Sequence, residues 1–498
     1  MSSIQRVHLF RGNRPGRTLS GALFACTAVL AAFSPAAIAA PSAKIYGEPI
    51  RVAPADPSIT RALADVSAAR IRHTISTLVD FHTRNTLSSM DRNLPPNTGV
   101  TAAAKWIEQQ FSEISDACHG CLEVKTDTFT QPADRGPRSR VKAPATITNV
   151  YAILRGTDPA QASRMYLVTG HYDSINSNVF SNWSDTSGFA PGANDDASGT
   201  TVSIEAARVL SRHRWPATIV FVAVAGEEQG LLGSKHLAKL AKDEGWQLAG
   251  VLNNDIVGGD TTPRDTLEDK TRVRVFSQGI PTTATPEEVK RILALGLESD
   301  GPSRELARVA TSVARTYFHP AAFRPVLEFR LDRYLRGGDH FSFNQEGFAA
   351  IRFTEWRENF DHQHQNVRVE NDKQYGDLLK FVDFNYVANV ARLNAATLAT
   401  LASAPAAPEE VRVVTSNLDN NSTLRWKPGS GMPAAGHFDI VWRDTSAPDW
   451  QFHQPVPTAD AAQGSITVPV SKDNVIFGVR ACNHAGQCSQ AVAPLPQR

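Results

Sequence analysis

The sequence predicts an α/β fold, with a mostly parallel central sheet flanked by helices, followed by an all-β sandwich. Two observations carry this. Between Asn149 and Ala402, short apolar runs alternate with helical patterns, as strand–helix–strand units around a parallel sheet require. After Pro408 the pattern changes to short strand-like runs separated by turn signals, the pattern of a two-sheet sandwich.

Taken in order, residues 1–40 read as a secretory signal peptide. Arg6, Arg11, Arg14 and Arg17 precede an apolar run from Leu19 to Phe33, with small residues around Ala39 and Ala40, the three parts of a leader. The run is interrupted by Ser34-Pro35 and is short for a membrane span. The expected location is secreted or periplasmic, without stable membrane association. The 498 residues carry a formal charge of +1; the first 40 hold four arginines and no acid, leaving −3 for the rest. That balance calls for no nucleic-acid partner. Beyond the leader stand Cys118 with Cys121 and Cys482 with Cys488. An even count in an exported chain favours two local disulfides; half of a zinc site or a redox motif is the alternative for Cys118–Cys121.

Residues 41–146 form a mostly helical segment, in which Leu63, Val66, Ile71, Ile75 and Leu78 recur at spacings of three to five. A second domain spans 147–402. Strands are expected over 150–154, 165–169, 218–225, 251–256 and 350–354. Val202, Ala206, Val209 and Leu210 make a helical stripe, and further helices are expected over 231–240, 303–317 and 377–401. Thr285-Pro286-Glu287-Glu288 announces another through a cap residue, proline in the first turn and glutamate at the third position. The Ala- and Pro-rich stretch 403–408 reads as a linker and 409–498 as the sandwich.

Acids and a histidine collect where these strands end. His171 lies in GHYDS, Glu227-Glu228 in AGEEQGLLGS and Asp255 in LNNDIVG, each at the end of an apolar strand, and Asp195-Asp196 lies in PGANDDASG at the start of a helix. Ligands of open α/β sheets gather at the carboxyl ends of strands. Several carboxylates there are costly unless positive charge sits among them, and a pair of metal ions is the simplest source. Any one of these motifs alone would pass for a surface loop or a helix-start acid pair; their succession does not.

The motifs resemble, one after another, those of the co-catalytic dizinc aminopeptidase family, whose relatives include glutamate carboxypeptidases, glutaminyl cyclases and the transferrin receptor. The resemblance covers residues 145–402. It implies two zinc ions, with His171, Asp195 and Asp255 holding one and Asp195, Glu228 and His362 the other. Asp173 would orient His171, and Glu227 would be the general base. The last ligand comes from Glu358–Asn366, where His362 keeps the family spacing and His364 is the competitor. Arg336-Gly337-Gly338-Asp339-His340 resembles the family's Ser-Asp-His stretch, with His340 supporting the cleft. Tyr334 is a candidate for stabilising the oxyanion, and Trp356 and Phe360 for walling a substrate pocket. The implied activity is an aminopeptidase acting on peptide substrates. A carboxypeptidase or glutaminyl cyclase would use the same ligands. A non-catalytic binding protein would be expected to have lost some, and here every position is filled. The C-terminal part resembles a fibronectin type III module, a candidate for binding a surface or polymer.

Overall fold

The computed structural model describes residues 46–498 except 135, 137–138, 178–185 and 434–435; the expected leader lies outside them. Among the described residues no helix is long and apolar enough to cross a membrane. After a two-residue strand, β1 (Glu48–Pro49), come the strands of the main sheet: β2 (Leu122–Gln131), β3 (Ala145–Leu154), β4 (Arg164–His171), β5 (Thr218–Val224), β6 (Gln247–Asn254), β7 (Arg272–Ser277), β8 (Arg324–Glu328) and β9 (Ala350–Glu355). Their order is β2-β3-β5-β4-β6-β9-β7-β8. The middle strands β5, β4, β6 and β9 are parallel, while β3 and β7 flank them antiparallel. β4, β5 and β9 are buried at every position, which is why the run Ile219–Val224 is apolar without alternation.

Parallel strands deliver their carboxyl ends to one edge. His171 ends β4, level with Val224 of β5; Asp255 follows β6, and the segment carrying His362 and His364 follows β9. The helix Ala197–Leu210 starts at the same edge, capped by Asp196, whose Oδ1 accepts the Gly199 N–H at 2.9 Å. A Cβ on Gly199 would fall 2.1 Å from the Asn254 carbonyl oxygen. Only glycine lets this helix start press against the end of β6.

The helices Pro57–Ala64, Ala68–Asp80 and Gly99–Ala117 share one hydrophobic core with the helices Ala197–Leu210 and Phe384–Ser403, so the early helical segment packs as part of the sheet's own body. The Thr285 capping box forms as expected, opening the helix Pro286–Leu295. The long closing helix begins at Phe384 instead of 377, because Asp383 caps it by accepting from the Asn385 and Tyr386 N–H groups.

The C-terminal part is a sandwich of two sheets. β12 (Glu409–Val414), β13 (Ser422–Lys427), β14 (His437–Asp444), β15 (Phe452–Pro455), β16 (Ser465–Val468), β17 (Val475–Cys482) and β18 (Leu495–Gln497) form it, in the orders β1-β15-β14-β17 and β16-β13-β12-β18. Strand β1 reaches it from the other end of the chain, pairing Glu48 with His453 and Pro49 with Phe452. The sandwich is fastened to the sheet body by buried charge. Asp300 accepts from Arg443 Nη2 at 2.7 and 2.8 Å, and Glu305 accepts from Trp450 Nε1 at 3.0 Å and from Arg308. The connecting stretch is packed: Ala404 is buried, its carbonyl takes an Arg164 N–H at 2.5 Å, and the Ala406 N–H bonds to Ser430 O. Cys118–Cys121 and Cys482–Cys488 are both disulfides.

Candidate metal centre

The edge described above gathers two triads of potential ligands. His171, Asp195 and Asp255 form one, and Asp195, Glu228 and His364 the other; within each, the ligand atoms lie within 4.8 Å of one another. His171 Nε2 is 3.1 Å from Asp195 Oδ1 and 3.9 Å from Asp255 Oδ1. His364 Nε2 is 2.8 Å from Asp195 Oδ2 and 3.1 Å from Glu228 Oε1. Asp195 thus turns one oxygen to each histidine. Tetrahedral zinc with ligands at about 2.0–2.2 Å spaces neighbouring ligand atoms by roughly 3.3–3.6 Å, and these distances bracket that range. Glu228 Oε1 is buried and accepts no directed hydrogen bond although His364 Nε2 lies so near. Two ligands converging on one point approach each other in this way, and the imidazole and carboxylate set is one that zinc takes.

His362 is the expected last member of the second triad; the structure brings His364 there instead. His362 Nδ1 pairs with Asp260 Oδ2 at 2.5 Å, and its ring stacks on Phe381 at 3.6 Å between centroids. The reason lies in the backbone. The His362 and Gln363 N–H groups both bond to Asn359 O, closing a turn, and His364 then adopts φ +57°. That left-handed step costs a non-glycine residue about 1–2 kcal/mol and swings the His364 ring into the cluster. Between the two histidines, Gln363 Nε2 donates to Asp195 Oδ2 at 3.0 Å.

Asp173 is fully buried. Its carboxylate lies 3.4 Å from His171 Nδ1, which also meets the Asp173 carbonyl at 3.1 Å. It accepts the Glu227 and Glu228 N–H groups at 3.3 and 3.2 Å and the Thr86 hydroxyl at 3.0 Å. One side chain therefore orients a histidine and holds the turn that presents both glutamates. Asp196 does similar work for the backbone, accepting from the His171 and Ile256 N–H groups at 3.0 and 3.2 Å.

Electrostatics reflect the crowding. Burial, then the charges of Glu228, Asp255 and Asp339, hold the Glu227 carboxyl well above its ordinary value. Burial also raises Glu228 and Asp196, each repelled by Asp195. Burial works against charged imidazoles at His171 and His364, yet the surrounding carboxylates hold both well above the ordinary histidine range. Asp195 is the exception: burial pushes it up, but the His364 charge and the His171 contact hold it well below.

Several supporting residues escaped the sequence reading. Arg84, wholly buried, donates to Leu78 O at 2.8 Å, Tyr172 O at 2.6 Å, Pro191 O at 2.7 Å and Gly192 O at 2.8 Å. It ties the loop after His171 to the loop before Asp195. Asp377 returns to the site after a hairpin of β10 (Arg368–Glu370) and β11 (Lys373–Tyr375), whose turn residues Asn371 and Asp372 have φ 51° and 59°, as type I′ turns demand. It accepts the Asp195 N–H at 2.7 Å. Arg352 places Nη2 2.9 Å from Asp255 Oδ1. A charge inside the apolar strand 350–354 was a legible sign of a buried ion pair; nothing in the neighbourhood of Arg84 signals its role. Of the other candidates, His340 is buried and meets Leu331 O at 2.9 Å, outside both triads. Tyr334 is exposed beneath Arg330, and Trp356 lies beneath Arg272.

Residues 149–378 match peptidase family M28. A probable zinc metalloprotease of Pyrenophora tritici-repentis is 42% identical over 445 residues, covering 89% of this chain and 88% of that protein. Another, of Leptosphaeria maculans, is 41% identical over 447 residues, covering 90% and 99%. Among solved structures, the LapA aminopeptidase of Legionella pneumophila is similar at 19% identity and a TM-score of 0.47, over 71% of this chain and 76% of that one. With more than two residues in five shared along nine tenths of its length, the chain belongs to peptidase family M28 and is a zinc metallopeptidase.

Proposed function

We propose that this metallopeptidase is an exported aminopeptidase that removes N-terminal residues from peptides with the help of two zinc ions. The observation that carries the dinuclear reading is the placing of Asp195, one oxygen toward each triad. His171 and Asp255 would hold one ion and Glu228 and His364 the other, with Asp195 shared. Bound there, zinc supplies a polarised carbonyl and an acidified water.

The chain's own residues do the rest. Glu227 is outside both triads and beside them, so its carboxylate is free to take the water's proton and return it to the leaving nitrogen. Asp173 keeps Glu227 and His171 in register, and Arg84 keeps the two ligand loops together. Asp260, Glu355 and Asp377 line a small void against Asp195; the exopeptidase direction is taken from the resemblance of the ligand motifs to those of the dizinc aminopeptidases. Export is supported by the composition of residues 1–40 and by two disulfides.

The test uses the purified full chain. Elemental analysis should return two zinc ions per chain. Peptides with a free amine should be cut from that end, and N-acetylated peptides left intact. One ion per chain refutes the dinuclear centre, and cleavage of acetylated peptides from the carboxyl end refutes the direction.

A further inference from the structure

On one flank of the centre the charge imbalance has the opposite sign. The guanidiniums of Arg274, Arg333, Arg336 and Arg352 gather around Glu358 and Asp332. Glu358 accepts from Arg274 at 2.8 Å, Arg333 at 2.6 Å and Arg336 at 3.2 Å. Asp332 accepts from Arg333 at 2.9 Å and Arg352 at 3.3 Å. Asp255 also faces Arg352, but it is a metal ligand in the reading above. Glu268, the next acid near Arg274, is pushed up to about 7 by burial. Four cations therefore face three carboxylates, Glu358, Asp332 and Asp255, and Arg336, which shares Glu358 with Arg274 and Arg333, has the longest of the three contacts to it.

Three of these cations are enclosed; Arg336 is not. Its side chain is 32% exposed, against 17% for Arg274, 9% for Arg333 and 0% for Arg352. It lies over the exposed Phe360 ring, and Nη1 donates to Gln363 Oε1 at 3.3 Å. The other end of that amide donates to Asp195, so a single side-chain amide separates the guanidinium from the shared ligand. An extended substrate advances about 3.3–3.6 Å per residue, which puts Arg336 within two residues of the bond that is cut.

We propose that Arg336 receives a carboxylate of the peptide substrate, making this a peptidase that prefers an acid next to the cleaved bond. The inference rests on the peptidase reading of the same site. The carboxylate has two possible sources, an acidic side chain or the free C-terminus of a very short peptide, and both present the same planar anion to the guanidinium.

The experiment compares the wild-type enzyme with Arg336→Gln and Arg336→Glu on matched peptides. One arm uses C-terminally amidated Leu-Glu-Gly against Leu-Gln-Gly; the other uses Leu-Gly with a free against an amidated terminus. Wild type should favour the acid in at least one arm by about 10- to 100-fold in kcat/KM, the worth of one charge-assisted contact. Arg336→Gln should abolish that ratio, and Arg336→Glu should invert it, favouring Leu-Lys-Gly amide. Zinc content, measured on each variant, separates lost recognition from a disturbed centre. Equal acid-to-amide ratios in wild type, or ratios unchanged in both variants, overturn the proposal. Failure of wild type to cut any of these peptides is a different result and refutes the peptidase direction instead.

Discussion

Replacing Arg84 with methionine isolates the part the early helical segment plays in the metal centre. The substitution keeps an unbranched side chain and removes every donor. Four carbonyl oxygens, of Leu78, Tyr172, Pro191 and Gly192, lose a charged partner. At about 1.5 kcal/mol each, the low end for charged hydrogen bonds, the gross loss is about 6 kcal/mol. Burial has already cost the arginine part of this, for it lowers Arg84 to about 10 from 12.5, equivalent to roughly 3 kcal/mol. The net destabilisation expected is about 3 kcal/mol. Two of the freed carbonyls lie in the loop before Asp195 and one next to His171, so the ligands should lose their mutual spacing as well. Losses of this supporting kind lower metal affinity about 10- to 100-fold. Chelator competition against the purified variant reads the affinity, and denaturant titration of the metal-free protein reads the stability. If Arg84→Met binds zinc as tightly as wild type while losing only stability, Arg84 is a core filler and the pinning of the ligand loops is refuted.

Three further outcomes are expected. His364→Ala should lose about one zinc per chain and His362→Ala should retain both, by elemental analysis; the reverse would restore His362 as ligand. Glu227→Gln should keep its metal while kcat falls about 10²- to 10⁴-fold, the usual contribution of a general base, and retained turnover would move that role elsewhere. Glu305 is pushed up to about 7 by burial, so the folded chain keeps this proton where the unfolded chain has released it. Its contribution is therefore favourable below about pH 4.5 and lost as pH rises toward 7, by about 3 kcal/mol. Glu305→Gln should flatten the dependence of the urea midpoint between pH 5 and 7.5, and an unchanged slope would show that Arg308 keeps Glu305 ionised.

How much could be read without coordinates depended on how local each cause was. The gathering of His171, Glu228 and Asp255 was legible because each sits where an apolar run ends, and that of Asp195 because a helix starts just after it; the parallel middle of the sheet brings these to one edge. His364 was not, since choosing it over His362 turns on one left-handed residue that spacing does not encode. Arg84 and Asp377 act across 88 and 182 residues, and no local pattern announces such partners. β2 hides among charged residues as an edge strand with an alternating face. β7 could have been found, because Arg272-Val273-Arg274-Val275 has the period of two that a strand with one buried face requires. β1 could not, since two residues carry no period and the strand exists only because β15 offers it an open edge.

That borrowed edge has a consequence for how the molecule is made. Glu48 and Pro49 leave the ribosome roughly four hundred residues before His453 and Phe452 do, a delay on the order of twenty seconds or more at ordinary elongation rates. Throughout that interval the leading segment has no mate, and the sandwich sheet, once its own strands have assembled, stays one ribbon short. Maturation therefore finishes with an early tract, when Glu48 and Pro49 are sewn onto strands made about four hundred residues later.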